Sequence, residues 1–143
     1  MQLSRNFTLE ELTATTTGFL NRPDSDEINR LAELALHILQ PIRERWGRIR
    51  ITSGFRSPSV NSAVGGVSTS QHCFGEAADF APLDAPIDEV FSWIVKDSGL
   101  QFGQCINERR GERRWVHVSL PGDGRRIMEA LVYDGKSYAR FVG

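Results

Sequence analysis

The chain has 143 residues, of which 40% are hydrophobic and 24% are charged. This composition excludes an intrinsically disordered chain, and the length predicts a single domain, residues 1–143, with its own core. Seventeen Lys and Arg residues against 18 Asp and Glu residues leave a formal net charge of −1, which excludes the strongly basic surface typical of nucleic-acid-binding proteins.

Membrane, secreted and disulfide-rich classes are also disfavoured. No stretch approaches the roughly 20 apolar residues that a membrane span needs. The N-terminus lacks the apolar core of a signal peptide, which predicts a protein made and kept in the cytoplasm unless another machine releases it. The two cysteines, Cys73 and Cys105, are too few for a disulfide framework and are interpreted as free thiols.

The first third of the chain has the pattern of helices. Thr8 and Glu11 have the spacing of a capping box and predict a short helix. Asp24 and Glu27 have the same spacing and predict the start of the main helix. Pro41 lacks an amide hydrogen, so we expect a kink, or a junction of two helices, just before it. The apolar stripe of this helix consists of Ile28, Leu31, Ala32, Ala35, Ile38, Leu39, Ile42 and Trp46.

The rest of the chain alternates between loops, one helix and several strands. A segment rich in Ser, Gly, Asn and Pro spans residues 54–75, and we expect a loop there with one or two helical turns at 58–63. Charged residues 109–114 predict a hairpin loop, and residues 121–124 predict another turn. Helices first and antiparallel strands last are typical of an α+β fold. The other predicted elements are strands at 48–52 and 76–80, a helix at 86–95, and a meander of strands at 101–107, 115–120, 129–133 and 137–142.

Two histidines stand in sequence contexts that suit a metal site. His72 and Asp79 are seven residues apart, and a bend at Gly75 could bring the imidazole and the carboxylate to one point. Cys73 is interpreted as a small apolar residue or an incidental thiol, although an exchange with Asp79 as metal ligand stays open. His37 is interpreted as a half-exposed residue of the main helix without a role.

The third ligand candidate, His117, lies on a predicted strand. Side chains alternate along a strand, so Trp115, His117 and Ser119 face one side while Val116 and Val118 face the other. The valines can then face the core and the histidine a cleft. With the earlier pair, two histidines and one aspartate match the ligand count of a catalytic zinc site, which keeps its fourth position for water.

The motifs around these residues resemble those of a known family. Ser-Gln-His at 70–72, Gly-Glu-Ala-Ala-Asp at 75–79 and Trp-Val-His-Val-Ser at 115–119 resemble the zinc signature of the D-Ala-D-Ala carboxypeptidases. These zinc peptidases share a fold with the Hedgehog signalling domain. Residues 51–58 and 7–12 also resemble that group, in particular its small single-domain members common in bacteriophages. The resemblance implies a Hedgehog/DD-peptidase-like α+β fold, with N-terminal helices packed on a small antiparallel sheet.

The resemblance also implies roles for individual residues. Arg56 would bind or polarise the substrate carbonyl or carboxylate, for which a planar guanidinium is suited; the alternative is a structural arginine that holds the loop. Ser70 would hydrogen-bond a ligand or the loop backbone. Trp115 would wall the site, or merely pack on its strand. One Zn²⁺ per chain would be held by His72, Asp79 and His117.

A hydrolase of this type also needs a carboxylate as general base. Many relatives carry Glu or Asp three residues before the last histidine, where this sequence has Arg114. The strand that ends at Glu108 resembles a strand of related phage proteins that ends in a glutamate facing the metal, so we expect Glu108 to be the base, with Glu112 at the loop tip as runner-up. The alternative is that both acids only offset the arginines of their loop. Those arginines are either solvated or attract substrate carboxylates.

The function implied by the resemblance is a zinc metallopeptidase that cleaves D-amino-acid-containing bonds of peptidoglycan, as a D-Ala-D-Ala carboxypeptidase or a murein endopeptidase. It would be a phage cell-wall-degrading protein. One alternative is a non-catalytic, zinc-stabilised binding or structural module of a phage particle; another is a zinc amidase or peptidase with a different substrate. The expected partners are the peptidoglycan stem peptide and a holin-type release protein, with neither nucleic acid nor membrane. We expect a monomer in the host cytoplasm until release, or in the virion.

Overall fold

Six strands form one sheet in the computed structural model, which describes residues 1–122 and 127–142. The helices are α1 (Leu9–Leu12), α2 (Ser25–Leu34), α3 (Gln40–Trp46), α4 (Pro58–Ala63) and α5 (Ile87–Lys96), with a 3₁₀ turn at Gln71–Phe74. The strands are β1 (Ile49–Ser53), β2 (Ala77–Pro82), β3 (Gln104–Arg110), β4 (Arg113–Ser119), β5 (Glu129–Tyr133) and β6 (Tyr138–Arg140). The predicted α+β class is therefore confirmed. Within the described residues, the helices are too short and too polar to cross a bilayer.

The helix starts lie where the sequence predicts them, and of the two alternatives before Pro41 the structure has the junction of two helices. The Asp24 carboxylate accepts a hydrogen bond from the Glu27 backbone amide, and the Glu27 carboxylate accepts one from the Asp24 amide. A π-helical turn over Ala35–Leu39 separates α2 from α3, and Pro41 stands in the first turn of α3. Because a π-turn shifts the backbone hydrogen-bonding pattern, it accommodates the amide that the proline cannot supply.

The strand order differs from the predicted meander. The order is β1-β2-β4-β3-β5-β6, and β5 pairs with β3 in parallel, so the small antiparallel sheet that we expected is a mixed sheet. The reason is that β2 and β3 occupy both edges of β4. The next strand therefore pairs with the open edge of β3, and because the chain reverses after β4 it runs antiparallel to β4 and parallel to β3.

The hairpin loop predicted over residues 109–114 is also longer than the turn in the structure. Arg109 pairs with Arg114 and Arg110 with Arg113 at the end of the β3–β4 ladder, so the turn consists of residues 111–112. Gly111 has φ +63°, the left-handed conformation that tight hairpin turns need and that glycine adopts readily. Arg109, Arg110 and Arg113 are thus exposed residues at the ends of the two strands. The turn predicted at 121–124 extends into residues 123 and 124, which lie outside the described residues.

The helices pack on one face of the sheet and leave the other face free for a cleft. Ala78 and Phe80 of β2 and Val116 and Val118 of β4 are fully buried in the core, as predicted for the two valines. The alternate side chains of the same strands point to the opposite face. The core also contains Leu31, Ile38, Leu39 and Ile42 of the helical stripe, Leu34, which the predicted stripe did not include, and Val90, Phe91 and Ile94 of α5.

Candidate metal centre

Three elements bring His72, Asp79 and His117 together. His72 lies in the 3₁₀ turn, which ends at Gly75 with φ +75°, so the bend predicted at this glycine is confirmed. Asp79 and His117 are direct neighbours across β2 and β4. Asp79 Oδ1 lies 3.3 Å from His72 Nε2 and 3.0 Å from His117 Nδ1, and the three possible ligand atoms all lie within 4.8 Å of one another.

The chemistry of this cluster fits a zinc ion. Two imidazole nitrogens and one carboxylate oxygen are the donors of a catalytic zinc site that keeps a fourth position open. Burial would raise the pKa of the Asp79 carboxyl, but the charge of His72 and the hydrogen bonds from His117 and His72 outweigh it and hold the pKa well below its usual range. Asp79 is therefore an anion, which is the form that binds a cation.

A backbone carbonyl orients the first ligand. His72 Nδ1 lies 2.7 Å from the Gly54 carbonyl oxygen, so Nδ1 donates to this carbonyl and Nε2, which faces the Asp79 carboxylate, is the nitrogen available to a metal ion. Such a contact fixes the tautomer and the ring orientation of a metal-binding histidine. Gly54 is itself fixed by α1, because the Phe55 amide donates to the Leu12 carbonyl oxygen at 2.8 Å.

Gly54→Ala is expected to damage both the fold and the site. A Cβ at this position would overlap the Leu12 carbonyl oxygen, so the backbone must shift and the carbonyl that holds His72 must move with it. We expect the free energy of unfolding in urea to fall by about 1–3 kcal/mol and zinc affinity to fall about 10- to 100-fold. The matched control is Gly122→Ala, whose Cβ would lie, within the described part of the chain, no closer than 3.9 Å to its nearest neighbour, the Gln71 amide. Equal stability of the two variants would contradict this account.

Arg56 contacts both the loop and the ligand cluster. Its Nε donates to Ser53 Oγ at 3.0 Å and its Nη1 to Asn61 Oδ1 at 3.3 Å, which are the loop contacts of a structural arginine. Its Nη2 lies 3.5 Å from Asp79 Oδ2, the carboxylate oxygen that does not face His117. The guanidinium also lines the cleft in front of the ligands, and it has more N–H groups than these contacts use.

Ser70 and Gln71 also line the cleft that holds the ligand cluster. Ser70 Oγ accepts a hydrogen bond from the His72 amide at 3.3 Å, so the contact with the loop backbone, one of the two expected for Ser70, is present. Gln71 was not singled out from the sequence, although it stands within the Ser-Gln-His motif. Its Nε2 donates to the Leu120 carbonyl at 3.3 Å, while its buried Oε1 has no hydrogen-bond partner among the described residues.

Glu108 shares the cleft with the ligands, and Glu112 does not. The cleft has a volume of about 540 Å³ and is lined by Glu108, Trp115 and the three ligand residues among others. Trp115 faces Glu108 across the hairpin, and its Nε1 donates to Glu108 Oε2 at 3.1 Å. Burial and the nearby negative charge of Asp79 raise the pKa of Glu108. Glu112 is exposed in the hairpin turn.

Arg114 lies on the other face of β4. It is three residues before His117, an odd number, so the strand turns its side chain away from the cleft. Its Nη2 donates to Asp88 at 2.7 Å and to Asn107 at 2.9 Å. Position 114 therefore cannot present a group to the ligands of this cleft, whichever residue occupies it.

The remaining candidates lie away from the ligand cluster. His37 is exposed on the π-helical turn. Cys73 lines a separate pocket with Glu27 and Phe74, and within the described residues the ligand cluster is made of His72, Asp79 and His117 without it. Cys105 is buried in the core, where burial raises the pKa of its thiol.

Comparison with known proteins identifies the family. A family model described as peptidase M15 matches residues 5–119, most of the chain and all three ligand candidates. Zinc D-Ala-D-Ala carboxypeptidase of Streptomyces albus G is 38% identical over 77 residues, which are 52% of this chain and 30% of that protein. The chain thus aligns with less than a third of the relative's length. Together with the ligand cluster, the family match shows that the chain belongs to the peptidase M15 family of zinc metallopeptidases.

Proposed function

We propose that this protein is a zinc-dependent peptidase that cleaves D-amino-acid-containing peptide bonds of peptidoglycan. The observation that carries the proposal is the convergence of the ligand cluster, Arg56 and Glu108 on one cleft. The D-Ala-D-Ala specificity of the similar Streptomyces protein supports the substrate class. The sheet with helices on one face supports a Hedgehog/DD-peptidase-like fold in a single domain.

The ligand residues and the base would divide the chemistry between them. His72, Asp79 and His117 would hold the zinc ion, which polarises the scissile carbonyl and lowers the pKa of water to about 7. Glu108 would accept a proton from the attacking water and pass it to the leaving amine. Trp115 would wall the site and hold Glu108 Oε2, which leaves Glu108 Oε1 to exchange the proton.

Arg56 would bind the substrate as well as order the loop. Its cationic group lines the cleft beside Asp79, where it would bind a substrate carboxylate or stabilise the charge that develops on the carbonyl oxygen. Ser70 would support this wall through its bond to the His72 amide. A carboxylate at Arg56 would make the protein a carboxypeptidase, whereas carbonyl stabilisation alone would also suit an endopeptidase.

The resemblance to small bacteriophage members supports a further proposal about context. The protein would be a monomeric phage enzyme that degrades the cell wall. It would wait in the host cytoplasm for a holin-type partner or be carried in the virion. Immunoblots of purified phage particles and of the infected host's cytoplasm would distinguish the two locations, because only a virion protein is found in the particles.

The direct test measures metal content and cleavage on the same purified protein. We expect one zinc per chain and release of D-alanine or cut stem peptides from peptidoglycan, with loss of cleavage in chelator and recovery on adding zinc. L-amino-acid peptides serve as the control for substrate class. One zinc per chain without cleavage would favour a zinc-stabilised binding module, and absence of metal binding would overturn the proposal.

A further inference from the structure

The last two strands extend the cleft beyond the segment that the family model matches. That segment ends at residue 119, whereas β5 and β6 follow it. In the parallel β3–β5 ladder, Gln104 pairs with Glu129 and Ile106 with Leu131. All four residues line the cleft that holds the metal ligands. Glu129 and Leu131 thus add to this wall of the cleft two residues that lie outside the matched segment.

The floor of this extension is apolar. Ile106 pairs with His117 across β3 and β4, and Leu131 pairs with Ile106 across β3 and β5. The three side chains therefore form one row that leads from the ligand cluster toward β5. Such a row suits the aliphatic part of an extended substrate.

Glu129 places a negative charge at the end of this extension. Its Oε1 accepts a hydrogen bond from Gln104 Nε2 at 2.8 Å. Because Gln104 is buried, this hydrogen bond fixes the orientation of the Glu129 carboxylate. Among residues 1–122 and 127–142, no basic side chain forms an ion pair with Glu129. A carboxylate that is oriented in this way, and that has no ion-pair partner among the described residues, is suited to a cationic ligand group.

The two ends of the cleft carry opposite charges. Arg56 contacts Ser53 of β1 and Asp79 of β2, whereas Glu129 begins β5 on the other side of the ligand cluster. Glu129 is two strands from His117 and two residues along the ladder, which corresponds to about 12 Å between the backbones. Two residues of an extended peptide span about 7 Å, and a long amine side chain covers the remainder.

We propose that Glu129 is a specificity-determining residue that binds an ammonium group on the substrate, about two residues before the bond that is cut. The inference rests on the proposed peptidase function. The substrate carboxylate or carbonyl would lie at Arg56, the aliphatic stem of the amine side chain on Ile106 and Leu131, and the ammonium group at Glu129.

The test compares two synthetic peptides that end in D-Ala-D-Ala and differ only in the preceding residue, lysine or norleucine. With the zinc-loaded wild-type protein, we expect kcat/KM about fivefold higher for the lysine peptide, the range of an exposed ion pair. In Glu129→Gln this preference should fall to about one, and in Glu129→Lys the norleucine peptide should be preferred. The matched control is Glu33→Gln, an exposed glutamate of α2, which should keep the wild-type preference.

Measurements of peptide binding distinguish a failure of this inference from a failure of the proposed peptidase function. The Kd of both peptides is measured by calorimetry with zinc-loaded Glu108→Gln, alone and combined with Glu129→Gln. A lysine preference that disappears with Glu129→Gln supports the inference even without turnover. A preference that persists, or is absent from both proteins, overturns it. If the zinc-loaded wild-type protein cleaves neither these peptides nor peptidoglycan, the peptidase proposal fails instead.

Discussion

His117→Ala is expected to weaken zinc binding at least about a hundredfold and to abolish hydrolysis. His117 Nδ1 lies within hydrogen-bond distance of the Asp79 carboxylate, so the substitution removes one of three converging donors and leaves two. Loss of a residue that merely supports a ligand costs about 10- to 100-fold in metal affinity, and loss of a ligand itself should cost more. Competition with a coloured chelator gives the affinity, and atomic emission after dialysis gives the content.

The control for this variant is His37→Ala, which removes an exposed imidazole far from the cluster in the fold. It should retain one zinc per chain and full activity. Circular dichroism would establish that both variants keep the wild-type secondary structure. If His117→Ala bound zinc as tightly as the wild type, the assignment of the metal centre to these three residues would be wrong.

Glu108→Gln is expected to lower kcat by about 10²- to 10⁴-fold, the range of general acid–base catalysis, while zinc content stays at one per chain. The amide keeps the size of the side chain and can still accept from Trp115, but it cannot take up a proton. Steady-state hydrolysis of a stem peptide and zinc content are measured on the same preparation.

Glu112→Gln is the matched control, because Glu112 lies in the β3–β4 turn outside the cleft. It should keep wild-type kcat. If Glu108→Gln and Glu112→Gln had the same activity, the base would have to be sought elsewhere. Loss of zinc from Glu108→Gln would show that Glu108 supports the metal instead of moving protons.

The bend and the strand face that orient the metal cluster were predictable because they depend on local sequence, whereas the convergence of the three residues was inferred from the family motifs. Gly75 supplies the left-handed bend between His72 and the strand of Asp79. The alternation of apolar and polar residues in β4 fixes which side chains face the helices, and so directs His117 to the opposite face. Neither argument requires knowledge of which strands are neighbours.

The order of the strands and the part of the cleft wall that β5 supplies were not predictable in the same way. The pairing of β5 with β3 depends on the free edge of β3, which only the assembled sheet reveals. The opposite orientations of Glu108 and Arg114 follow from the register of a hairpin whose turn is shorter than its charged sequence predicts. The cleft-facing position of Glu129 depends on the pairing of β5 with β3 and on the register of the β3–β4 hairpin.

Because side chains alternate along β3 and β5, the residues that pack the core are separate from the residues that face the substrate cleft. Gln104, Ile106 and Glu108 face the cleft, whereas Cys105 is buried among the core residues and Asn107 bonds Asp88 of α5. Leu131 likewise faces the cleft while Ala130 packs against the core. Libraries that keep Glu108 and randomise Gln104, Ile106 and Leu131 should therefore sample new substrates while the core-facing residues stay unchanged, which makes this wall a practical starting point for directed evolution.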